Sequence, residues 1–124
     1  GCVAGEKTNP LAVPALRLIG TLLSAPADAI SDMLIAAGAL KVLTDVVLDK
    51  FAPAQVRLEA AWALSNVAAG TPSQVQHLLD SPGSVAALCD VLESDVPQGL
   101  RSESAWALAN LVRSGPEAVQ RVDR

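Results

Sequence analysis

The chain has 124 residues, a formal net charge of -4 and no Tyr; 51% of its residues are hydrophobic, and Lys and Arg together number nine. That balance excludes a direct nucleic-acid binder, because phosphate recognition needs a basic stripe. The longest uninterrupted apolar run, Met33 to Leu40, is far short of the roughly 20 residues a membrane-crossing helix requires.

Helical periodicity governs the whole chain, with Ala and Leu abundant and the breakers regularly placed. A first helix is predicted from about Leu11 to Leu23, with Leu16, Ile19, Gly20 and Leu23 on one stripe, ending before Pro26 because proline restricts the residue preceding it. A short helix from about Ala27 to Ala36 turns at Gly38 into a second from Ala39 to about Leu48. The segment Asp49 to Gln55 is a loop, with Pro53 placed to open a long helix from about Ala54 to Ala69. Gly70-Thr71-Pro72 ends that helix and starts another, from Pro72 to about Asp80. Ser81-Pro82-Gly83 is a turn, followed by a helix from Ser84 to Glu93, a loop from Ser94 to Gly99, and a long helix from Leu100 to about Ser114. Pro116 to Arg124 begins one more short helix.

The order short, middle, long occurs twice, and the sequence repeats with it. Glu59-Ala60-Ala61-Trp62-Ala63-Leu64-Ser65-Asn66 returns 44 residues later as Glu103-Ser104-Ala105-Trp106-Ala107-Leu108-Ala109-Asn110. Gly38 and Gly83 are 45 residues apart, as are Gly70 and Gly115. A period in the forties is that of helical solenoid units, each of which buries its apolar face only by stacking on a neighbour. The units are expected at 27–70 and 71–115, with a partial one at 1–26 (mainly a third helix) and the start of another at 116–124. The missing initial Met, the close inside a helix and the high hydrophobic content suggest a fragment of a longer chain.

One short, one middle and one long helix per unit, with Gly between the first two, resembles the armadillo repeat. Glu-x-Ala-Trp-Ala-Leu-x-Asn followed by Ala-Gly-Thr is similar to the importin-alpha (karyopherin-alpha) branch of that family. The resemblance runs from Pro14 onward. Pro14-Ala15-Leu16-Arg17-Leu18-Ile19-Gly20-Thr21 is similar to a third helix in which Arg replaces the groove Trp, but Thr21 stands where the family has Asn. The fold implied is an all-α, right-handed superhelical solenoid of three-helix units. The function implied is an adaptor, cytoplasmic and nuclear, that holds a basic nuclear localisation signal extended along a concave groove. Asn66 and Asn110 would clamp the ligand backbone, Trp62 and Trp106 would wall slots for Lys or Arg stems, and Glu59 and Glu103 would attract the cationic ends. Importin-beta would be a further partner, through a segment this sequence lacks. Arg17 before two Trp motifs suits the minor binding site; Ala-Gly-Thr suits the main one.

The residues support the same roles physically. Trp62 and Asn66 are four apart and Glu59 is three before the Trp, so the three share one helical face, and the second set has identical spacing. Asn can donate to and accept from a peptide main chain without reading side chains. An indole face attracts a cation, and nearby carboxylates speed encounter more than they tighten binding. The competing reading makes the Trp rings core anchors and has the Asn residues bonding between repeats. Arg17 is open to two readings, an ion pair with an acidic partner residue or a surface charge. Arg57 and Arg101 recur near the starts of the long helices, where salt bridges between repeats are expected.

Cys2 and Cys89 are expected to be unpaired in a reducing compartment, with Cys89 a small buried side chain in the apolar run Val85 to Leu92. His77, the only histidine, has no metal-ligand spacing around it and is read as structural. No nucleophile–base arrangement or phosphate loop is present, so neither catalysis nor a cofactor is expected. The alternative to a transport adaptor is a non-transport armadillo scaffold or a chaperone-associated adaptor.

Overall fold

The computed structural model describes residues 12–23, 28–81 and 83–113, and these form seven α-helices with no strand among them. They are α1 (Ala12–Leu23), α2 (Asp28–Ala36), α3 (Ala39–Leu48), α4 (Ala54–Ala68), α5 (Pro72–Asp80), α6 (Ser84–Glu93) and α7 (Gln98–Arg113). The order short, middle, long thus occurs in α2–α3–α4 and again in α5–α6–α7. Cys2 and the helix expected after Pro116 lie outside the described residues.

Two glycines make the turns between short and middle helices. Gly38 (φ 96°) and Gly83 (φ 80°) are both left-handed and both immediately precede a helix, a conformation that costs an ordinary L-residue about 1–2 kcal/mol. At the start of α5, Thr71 Oγ1 accepts from the Gln74 N–H while Gln74 Oε1 accepts from the Thr71 N–H, a reciprocal capping box. Pro53 precedes α4 as its N-cap, with extended ψ of 146°, instead of forming its first helical turn.

The long helices pack in one row, α1 on α4 on α7; α3 packs on α6, and α2 on α5. Three rows therefore run side by side, with the core between them. Leu43, Val47, Leu64, Leu78, Leu88, Val91 and Leu100 are fully buried there. Polar side chains tie like helices together: Thr44 Oγ1 lies 2.7 Å from Ser84 Oγ across α3 and α6, and Gln74 Nε2 donates to Asp32 Oδ1 at 3.1 Å across α5 and α2.

Arg57 and Arg101 make main-chain bonds instead of the expected inter-repeat salt bridges. Arg57 is buried, and its Nε donates to the Val47 carbonyl at 2.9 Å; Arg101 Nη2 donates to the Ser94 carbonyl at 2.8 Å. Each cation sits at the C-terminal end of the preceding middle helix, where unpaired carbonyls and the helix dipole favour positive charge.

Cys89 also departs from expectation: it is exposed. The inward face of α6 is Ser84, Ala87, Leu88 and Val91, a spacing of three and four, which turns the residue after Leu88 about 100° away from the core.

On α7, Ser104 is fully buried and its Oγ has no hydrogen-bond partner among the described residues. The equivalent position on α4 is Ala60, also fully buried. An unsatisfied buried hydroxyl costs about 1–3 kcal/mol, which an apolar residue of similar shape avoids. Ser104→Ala is therefore expected to stabilise the protein by about 1 kcal/mol, seen as a higher urea midpoint at unchanged slope.

Candidate functional site

The row α1–α4–α7 carries every residue singled out from the sequence motif. Arg17 is on α1; Glu59, Trp62 and Asn66 are on α4; Glu103, Trp106 and Asn110 are on α7. Trp62 is half-buried and Trp106 is 55% exposed, so neither indole is sealed in the core. Trp62 packs closely against α1 at Gly20: a Cβ built there would come within 2.4 Å of its Cζ3. Gly20, noted in the sequence only as part of an apolar stripe, is what lets the ring settle there.

An open cleft of about 350 Å³ is lined by Arg17, Thr21, Leu58, Glu59, Trp62 and Glu103. Its two carboxylates have different environments. Glu59 is 5% exposed, and its carboxylate accepts from Arg17 Nη2 at 2.8 Å, Arg17 Nε at 3.5 Å and Gln55 Nε2 at 2.7 Å. The Glu59 charge is thus matched within the chain by Arg17, with which a ligand cation would have to compete. The same pair resolves Arg17, whose guanidinium reaches across to α4 while most of its side chain stays in solvent. The hydrogen bond from Arg17 and the Glu59 charge raise the Arg17 pKa still further above its ordinary value.

Glu103 is half-buried and, unlike Glu59, makes no hydrogen bond or ion pair among the described residues. Partial burial, and then the negative charge of Glu59, push its pKa above the usual glutamate range. Its contribution to stability is thus complete below that ordinary range and disappears as the pH rises through the raised value. Arg17, Glu59 and Glu103 together give the cleft one positive and two negative charges, a net deficit of one cation beside an indole face.

The Asn residues make matched contacts between long helices. Asn66 Nδ2 donates to the Gly20 carbonyl at 2.8 Å, and Asn110 Nδ2 to the Ser65 carbonyl at 3.4 Å. Gly20 and Ser65 are 45 residues apart, so the two bonds join equivalent places. Asn66 stays half-buried, whereas Asn110 is only 2% exposed and its Oδ1 accepts from Arg113. The clamp role expected of Asn110 is therefore not supported by its placement: α4 and Arg113 together cover it. Arg113 also stands 5.5 Å from the Trp106 ring centroid. Sequence reading missed Arg113; its position seven residues after Trp106, on the same face of α7, was the signal.

No family model matches the chain. The sequence is 36% identical over 77 residues to importin subunit alpha-2 of Oryza sativa subsp. japonica, a match covering 62% of this chain and 14% of that protein. The chain is similar to part of an importin alpha subunit. It spans about a seventh of that relative's length, and the likeness suggests an armadillo-like relationship. Among the described residues, no helix is long and apolar enough to cross a membrane, and no group of three or more His, Cys, Asp or Glu could hold a metal ion. His77 lies exposed in the last turn of α5.

Proposed function

We propose that the face formed by α1, α4 and α7 is a groove that binds an extended peptide carrying a basic side chain, in the manner of an armadillo-type import adaptor and without chemistry of its own. In this reading 27–70 and 71–115 are successive armadillo units of a right-handed superhelical solenoid, the partner is a cargo protein displaying a localisation-signal-like segment, and the setting is cytoplasmic and nuclear. The observation that carries it is the pairing of the uncompensated Glu103 carboxylate with the accessible Trp62 ring in one cleft. A lysine stem can pack on the indole while its ammonium meets the carboxylate, an arrangement worth roughly 0.5–2 kcal/mol for the cation–ring contact. Glu59 then acts indirectly, by fixing Arg17 at the border of the cleft. The similarity to importin alpha supports the same partner class.

Glu103→Gln separates this function from packing, because Glu103 holds nothing else in place. Affinity for a fluorescent Lys-containing peptide, followed by anisotropy at neutral pH and low salt, is expected to fall about tenfold, or about 1.4 kcal/mol. The wild-type advantage should shrink as the pH drops through the raised Glu103 pKa, since the cation and the proton compete for one carboxylate. Equal affinities at neutral pH would reject the cleft as the basic-residue site. A non-transport scaffold is the second reading, favoured by the inter-helix bonds of Asn66 and Asn110, which serve the packing of the row.

A further inference from the structure

The far end of the groove has the opposite charge. Arg113 lies over the Trp106 ring and donates to Asn110 Oδ1, so the indole that a basic ligand side chain would use on α7, and the amide oxygen that a ligand main chain would use, already hold a cation of the chain's own. A second cation there would meet like charge. Arg113 is itself exposed, and its planar guanidinium has five donors, more than the Asn110 bond uses. It borders a recess of about 230 Å³ with Ala69, Gly70, Pro72, Val75 and Asn110, room enough for a carboxylate side chain.

Glu103, Trp106, Asn110 and Arg113 follow one face of α7. At about 1.5 Å of rise per residue, Glu103 and Arg113 stand roughly 15 Å apart along the helix axis, with Trp106 between them. A peptide crossing the row at the level of Trp106 in an extended conformation points successive side chains in opposite directions. One set reaches toward Glu103 and the Trp62 cleft, the other toward Arg113 and its recess. We propose that the groove selects an extended peptide in which a lysine is directly adjacent to an acidic residue, Arg113 being the residue that reads the acidic neighbour and turns away a second base. This rests on the groove reading above and narrows its ligand from basic to bipolar.

The experiment uses four labelled peptides of equal length, otherwise Ala and Ser: one with Lys and Glu adjacent, one of the same composition with Lys and Glu two residues apart, one with two adjacent Lys, and one with a single Lys. Wild type is expected to bind the adjacent Lys–Glu peptide at least fivefold more tightly than either the two-apart isomer or the double-Lys peptide. Arg113→Ala should bring the adjacent and two-apart peptides within twofold of each other and improve binding of the double-Lys peptide, with single-Lys affinity retained. Tighter binding of double Lys by wild type, or a Lys–Glu preference unaffected by Arg113→Ala, would overturn the bipolar reading and leave the basic cleft standing. Failure of every peptide, the single-Lys one included, to bind folded wild type would reject both readings.

Discussion

Gly20→Ala is expected to destabilise the protein by about 1–2 kcal/mol, although the same change in an open helix gains about 1 kcal/mol from propensity. The sign turns on one contact: the new Cβ would meet Trp62 Cζ3 at 2.4 Å and Cε3 at 2.6 Å, and the ring cannot yield without leaving the α1 backbone. A double-mutant cycle isolates this contact. In a Trp62→Ala background the obstruction is gone, and Gly20→Ala should stabilise by about 0.5–1 kcal/mol. Urea denaturation of the four proteins provides the comparison. A stabilising Gly20→Ala in the wild-type background would show that the indole does not rest on α1, and with it would go the floor of the proposed cleft.

Arg57→Ala should cost about 1.5–3 kcal/mol, the range for a hydrogen bond to a charged group. Arg57 is only 7% exposed and its bond to the Val47 carbonyl is 2.9 Å, so its removal leaves a carbonyl at the end of α3 without its partner and a gap where the stem packed. Arg101→Ala provides the control. Its bond to the Ser94 carbonyl is as short, but Arg101 is only half-buried, water can replace it, and a loss of about 1 kcal/mol is expected. A larger loss at Arg101 than at Arg57 would contradict the role assigned to burial.

The helices were legible in the sequence because several local signals agree at each boundary: Gly38 and Gly83 at the turns, Thr71-Pro72 at a start, and an apolar stripe such as Leu16, Gly20 and Leu23 between them. Cys89 was misjudged because a run of apolar residues says nothing of which one faces inward; only the phase of α6, set by Ala87, Leu88 and Val91, decides that. The site was legible as a set of residues and not as a set of roles. Glu59 and Glu103 are identical in motif, yet Arg17 reaches only the first, and no repeat spacing could show which carboxylate a side chain 42 residues earlier would claim. Asn66 and Asn110 differ for a similar reason, since Arg113 covers one and has no counterpart at the other: the residue three after Asn66 is Ala69.

The bonds from Asn66 to the Gly20 carbonyl and from Asn110 to the Ser65 carbonyl share one property: each acceptor belongs to the main chain. A joint of this kind does not depend on what side chain its neighbour carries, as the change from Gly to Ser at the two acceptor positions illustrates. It works as a standard coupling, usable by any long helix that presents its backbone at the matching height. Sequence drift along the outer surface can then proceed without uncoupling one long helix from the next.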